Sequence, residues 1–164
     1  MNPAPPDPTR VLFVCLGNIC RSPAAEGVFL AHLAARGLGH RIEVDSAGTG
    51  GWHAGDLPDP RMRAAAARRG LALTSRARQV RRDDFARFDL IVAMDRDNLA
   101  NLEALGRARP GQLFLLSELL GPDWPIDVPD PYYGGPAGFD KVLDMLEAAM
   151  PALLERTLAL SREG

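Results

Sequence analysis

Cys15 and Arg21 stand five residues apart, with Leu16, Gly17, Asn18, Ile19 and Cys20 between them and Ser22-Pro23 directly after. A cysteine supplies a nucleophilic thiolate, and an arginine supplies a planar fork that grips two oxygens of a tetrahedral oxyanion better than a lysine does. The residues just before, Val11-Leu12-Phe13-Val14, form an apolar run that reads as a buried strand. Ser22 and Pro23 read as the N-cap and first position of a helix. A tight loop between such a strand and helix turns backbone N–H groups inward and places the positive end of the helix dipole at its centre, so it binds an anion. The same donors and dipole favour a thiolate at Cys15. A nucleophile, a cradle and a clamp in eight residues suit attack of sulfur on phosphorus.

The stretch from Cys15 to Ser22, Cys-Leu-Gly-Asn-Ile-Cys-Arg-Ser, resembles the signature of the low-molecular-weight protein tyrosine phosphatases at every position. The resemblance implies that Cys15 is the nucleophile and Arg21 the oxyanion clamp. It also implies that Asn18 holds the loop in its curled shape, that Ser22 donates a hydrogen bond to the Cys15 sulfur, and that Ser46 supports Asn18 from a second strand. In one position the chain departs from the pattern. Ser75 stands where many members carry a histidine belonging to the network around Asn18.

Displacing an alkoxide or phenoxide from phosphorus requires a proton for the leaving oxygen, so a carboxylic acid should face the loop. The long proline-rich stretch from Gly121 to Pro136 offers Asp123, Asp127 and Asp130. Of these, Asp130-Pro131-Tyr132-Tyr133 resembles the general-acid segment of the same family, and Tyr132 and Tyr133 are expected to wall a deep cleft. The resemblance further implies that this tyrosine pair can be phosphorylated. Trp52, in the glycine-rich loop from Gly48 to Gly55, either contacts substrate or pins its loop. The expected substrate-binding set is therefore Leu16, Gly17, Asn18, Ile19, Cys20, Ser22, Trp52, Tyr132 and Tyr133.

A low-pKa thiolate is sensitive to oxidation, and Cys20 is close enough in sequence to resolve a Cys15 sulfenic acid as a disulfide. The basic cluster Arg76, Arg78, Arg81 and Arg82 is either a solvated face balanced by Asp83 and Asp84 or a positive rim that draws in anions.

The elements that position these groups follow from pattern. A helix is expected from Pro23 to about Arg36, ended by Gly37, and a strand from Arg41 to Ala47. Asp59-Pro60 opens a helix through Arg69, and Asp89–Met94 reads as a third strand. Asp95 caps a helix ending at Gly106, and Gln112–Leu116 reads as a fourth strand. A final helix runs from about Ala137 to Ser161, with Pro151 expected to kink or break it near Glu147. Alternating strands and helices define a single doubly wound α/β domain, a small four-stranded parallel sheet with helices on both faces and the phosphate-binding loop after the first strand. Residues 10–161 are expected to form this phosphatase domain, preceded by a disordered tail, Met1–Thr9.

The chain has 164 residues, 46% apolar and 24% charged, an ordinary composition for one globular domain. A net charge of −2 argues against a general nucleic-acid binder. Two cysteines, both in the loop, make no disulfide framework, and no stretch approaches the ~18 apolar residues that span a membrane. The expected location is the cytoplasm, and no membrane or nucleic-acid partner is expected.

The resemblance implies a hydrolase for phosphotyrosine in proteins and for small aryl phosphates. Its partners would be phosphotyrosine proteins and small anions such as phosphate, with no cofactor or metal. Two alternatives remain. An arsenate reductase would need relay cysteines, and none follows Cys20. A non-catalytic phosphate-binding module would be expected to lack Cys15, Arg21 or the acid.

Overall fold

The computed structural model describes residues 7–163. Its centre is β1 (Thr9–Cys15), whose residues from Val11 to Val14 are fully buried because both faces of the strand are covered. Parallel strands covered on both faces read as continuous apolar runs. β1 pairs in parallel with β2 (Ile42–Gly48) on one side and β3 (Leu90–Ala93) on the other, and β3 pairs with β4 (Leu113–Leu115). The order β2-β1-β3-β4 reverses direction at β1, and the crevice above the carboxyl ends of β1 and β3 is where an open α/β sheet binds its ligand.

Val11, Phe13 and Cys15 face α1 (Arg21–Ala35), α2 (Pro60–Ala67) and α5 (Ala137–Glu163). Leu12 and Val14 face the opposite layer, which includes Phe85 of the short α3 (Asp84–Arg87) and Leu102 of α4 (Arg96–Leu105). Helices on both faces of one parallel sheet are thus as the alternating pattern led one to expect. Of the expected tail, residues 1–6 lie outside the described residues, and Thr9 is already paired with Ile42 as the first residue of β1.

Three local readings need correction. First, α1 starts at Arg21, two residues earlier than expected, with Cys20 rather than Ser22 at the N-cap. The Ser22 hydroxyl is drawn instead to the Cys15 sulfur and the Asn18 amide, so it does not cap. At its other end α1 closes as expected: Gly37 takes a left-handed φ of 68°, and the Leu38 N–H donates to the Leu33 carbonyl. Second, α5 runs unbroken through Pro151. That residue lies on the exposed side, where water can serve the carbonyl that the proline leaves without a donor. The expected inner face of α5 (Phe139, Val142, Leu143, Leu146, Met150, Leu153 and Thr157) is wholly buried. Third, Arg76, Arg81 and Arg82 are exposed, but Arg78, balanced by Asp84 as one reading had it, is drawn inward and is not part of a free rim. It pairs with Asp45 at 3.1 Å and with the fully buried Asp84 at 3.0 Å, which joins β2 to α3.

Candidate active site

The loop from Cys15 to Arg21 curls at the carboxyl end of β1, and the curl depends on Asn18. Its φ of +57° is the left-handed conformation that asparagine tolerates better than most residues. Its side chain is held at both ends: Nδ2 donates to Ser22 Oγ at 2.7 Å, and Oδ1 accepts from the Arg78 backbone N–H at 3.0 Å. Glycine is required at the end of β2 for the same closeness. A Cβ on Gly48 would lie 2.8 Å from the Leu16 carbonyl and 3.1 Å from the Asn18 nitrogen.

Cys15 Sγ sits 3.0 Å from Ser22 Oγ and accepts from the Asn18 N–H at 3.3 Å. Ser22 Oγ receives a hydrogen bond from Asn18, and its own proton has two acceptors in reach, the Cys15 sulfur at 3.0 Å and the Ala47 carbonyl at 3.3 Å, of which a thiolate would be the stronger. Two donors therefore face the place where thiolate charge would sit.

The Arg21 guanidinium is buried and held from behind. Its Nη1 donates to Asp95 Oδ2 at 2.6 Å and to the Val128 carbonyl at 2.9 Å. Burial opposes the charge, but Cys15 and Asp95 outweigh it and push the Arg21 pKa up, so the cation is secure. Nη2 lies 3.7 Å from Asp130 Oδ2.

Asp95 belongs to this site, although the sequence marked it only as a helix cap. Its Oδ1 accepts from the Asn98 N–H at 2.7 Å and starts α4, while Oδ2 holds Arg21. The two roles separate by mutation. Asp95→Asn keeps a good cap but removes the counter-charge, whereas Asp95→Ala removes both and leaves the buried cation with only the longer 3.7 Å pair to Asp130. The alanine variant is expected to lose roughly 3–5 kcal/mol of stability, and the asparagine variant distinctly less, in chemical denaturation. Both should lose activity, by up to ~10²-fold, because Arg21 is no longer aimed.

Asp130 hangs at the cavity edge, with Oδ1 accepting from the Tyr132 N–H at 3.0 Å in a turn made by Pro131. Asp127, the alternative acid, points elsewhere. It binds Arg96 through a 2.9 Å ion pair and a backbone N–H, and the Arg96 hydrogen bond holds its carboxyl below the usual range. Both its oxygens are engaged by Arg96, and it does not line the cavity that Asp130 lines.

These residues enclose a cavity of about 360 Å³ lined by Cys15, Leu16, Gly17, Ile19, Cys20, Arg21, Trp52, His53, Asp130, Tyr132 and Tyr133, within the size range of ligand pockets. Trp52 is 73% exposed and folds over Gly50, where a Cβ would lie 1.9 Å from its ring, so it both covers its loop and lines the mouth. Tyr132 and Tyr133 stack edge to face with centroids 4.8 Å apart, and both are exposed rather than core. The Arg61 guanidinium lies 5.3 Å over the Tyr132 ring.

Of the expected substrate-binding set, Asn18 and Ser22 do not line the cavity. They are buried behind the loop and act on it from there. Ser46 does not bond Asn18 either. Its hydroxyl donates to Glu26 Oε1 at 2.6 Å, and Ser75, which stands in the histidine's place, bonds the same carboxyl. Burial pushes the Glu26 pKa up, and the two serine bonds oppose that shift. The loop is braced instead by the Arg78 N–H. Burial, followed by Asp59 and Cys15, pushes the Cys20 thiol up to about 12, so Cys20 stays protonated beside Cys15. His53 was missed. It lines the cavity against Gly17, with Nδ1 3.3 Å from Asp56, and only its place in a loop beside Trp52 hinted at this.

Residues 10–163 match the family model described as low molecular weight phosphotyrosine protein phosphatase. A low molecular weight protein-tyrosine-phosphatase of Streptomyces coelicolor is 49% identical over 154 residues, covering 88% of this chain and 91% of that protein. The crystal structure of an Entamoeba histolytica protein tyrosine phosphatase superposes with a TM-score of 0.88 at 40% identity, over 94% of this chain and 99% of that one. The crystal structure of a Drosophila arginine phosphatase superposes with a TM-score of 0.82 at 32% identity, over 89% and 96% of the two chains. The chain belongs to the low-molecular-weight phosphotyrosine protein phosphatase family.

Proposed function

We propose that this protein hydrolyses phosphotyrosine in proteins, and small aryl phosphates, through a phosphocysteine on Cys15. The observation that carries the reading is the convergence of Cys15, Arg21 and Asp130 on one cavity walled by Trp52, Tyr132 and Tyr133. The Cys15 thiolate attacks phosphorus as the bond to the phenolic oxygen breaks, and Asp130 gives that oxygen its proton. Arg21, with Nη1 tied to Asp95 and Val128, turns its remaining edge to the phosphoryl oxygens, whose charge it matches best in the transition state. Water then attacks the phosphocysteine, Asp130 takes back a proton, and phosphate leaves with the thiolate restored. Residues 10–161 serve as the catalytic domain. No helix among the described residues is long and apolar enough to cross a membrane. The proposed location is the cytoplasm, on the ground that two cysteines make no disulfide framework.

The acid assignment is tested by leaving group. A p-nitrophenolate departs largely unaided, whereas the phenolate of tyrosine needs a proton. Asp130→Ala should slow single-turnover phosphocysteine formation ~10²-fold or more with phosphotyrosine, and much less with p-nitrophenyl phosphate. Asp127→Asn should leave both rates near normal. Equal slowing with both substrates would remove Asp130 from the role. Phosphoarginine, included because an arginine phosphatase shares the fold, should be the poorer substrate, since the aromatic walls suit a phenyl ring.

A further inference from the structure

A second groove, of about 560 Å³, adjoins the catalytic cavity and shares two of its walls, Leu16 and Trp52. Trp52, folded over Gly50, is the partition between them. Beyond it the groove is floored by Gln79 and Val80 and closed by Asn101, Ala104 and Leu105 of α4. No residue lining it carries a charge, in contrast to the catalytic cavity with Arg21 and Asp130.

Resting on the phosphotyrosine reading above, we propose that this groove is a subsite for the substrate chain beside the phosphotyrosine, and that it selects an uncharged apolar side chain there. A phosphotyrosine seated on Cys15 brings its own backbone to the cavity mouth, beside Trp52 and Leu16, and the chain continues over the shared wall. Leu16, 43% exposed, together with Val80 and Leu105 offers apolar surface to one side chain. Polar groups suited to a peptide backbone flank it. The Asn101 side chain is exposed, and the Gly50-Gly51 backbone lines the groove. Gln79 is fixed by donating to the Thr49 carbonyl at 3.1 Å. A charged side chain entering here loses part of its water and meets no charged residue among those lining the groove, so it is disfavoured against an apolar one.

The test is kcat/KM for phosphotyrosyl peptides in which each of three positions on either side is set to Leu, Ala, Lys or Glu, measured by phosphate release. At one flanking position Leu should exceed Ala by about tenfold, and Lys and Glu should fall below Ala. Ala104 is exposed on α4, so Ala104→Trp fills the groove without touching the core. This variant should erase the Leu advantage while p-nitrophenyl phosphate turnover stays within about twofold of wild type. Ala104→Asp should shift the preference at the same position toward Lys. No position with a Leu advantage, or an advantage that survives Ala104→Trp, would overturn the subsite. Failure of the wild type on phosphotyrosine itself would instead overturn the catalytic reading.

Discussion

Cys15→Ser is expected to lower turnover by at least ~10⁴-fold while phosphate and vanadate still bind. The substitution replaces a thiolate with a neutral hydroxyl of far higher pKa, and no base stands beside the sulfur to activate it. The hydrogen-bonding partners of Sγ are the Asn18 N–H and the Ser22 hydroxyl, both suited to donate to an anion and neither able to take a proton. The anion cradle depends on the loop backbone, which the Asn18 and Ser22 side chains and the Arg78 N–H hold, and a serine Oγ at position 15 can still accept from the Asn18 N–H. Binding and chemistry should therefore separate. Calorimetry with phosphate gives the first, and single-turnover hydrolysis gives the second.

Arg21→Lys is the second large effect, expected at about 10³-fold in kcat/KM. A lysine retains the charge but presents one point where the guanidinium presents an edge. It also cannot satisfy both supports. In the native site Nη1 alone serves Asp95 and the Val128 carbonyl, leaving the other nitrogens for the phosphoryl group. An ammonium drawn to Asp95 is withdrawn from the substrate, and one drawn to the substrate leaves Asp95 and a carbonyl unpaired. Most of the loss should appear in kcat, because the grip tightens as charge moves onto the phosphoryl oxygens. A variant with near-normal kcat would show that Arg21 positions the loop and does not clamp the oxyanion.

Much of this site was legible because its chemistry is local. Cys15, Arg21 and Ser22 lie within eight residues, and a buried strand running into a helix start fixes their geometry without long-range information. The place of Asp130 at the cavity could be read as well, since proline and two tyrosines mark it. What depended on the sheet order was not legible. Asp95 is 74 residues from Arg21, and its cap signal already explained it. Only the adjacency of β1 and β3 shows that the same carboxylate reaches the arginine. Ser46 failed for a related reason: its hydroxyl is taken by the half-buried Glu26 carboxyl and not by Asn18. The start of α1 was misjudged because the Ser22 hydroxyl had a better use than capping. Asp127 and Asp130 differ only in their neighbours, and the sequence could not show that Arg96 occupies one of them.

The central claim is that phosphorus is transferred to sulfur. Its most direct test is to mix wild-type enzyme with a phosphotyrosyl peptide or p-nitrophenyl phosphate, quench within one turnover, and locate the phosphoryl group by mass spectrometry under conditions that preserve S–P bonds. The account predicts phosphate on Cys15, at a level that rises in Asp130→Ala with p-nitrophenyl phosphate because hydrolysis of the intermediate loses its base. Phosphate on another residue, or enzyme turning over with no phosphorylated Cys15 at any quench time, would contradict it.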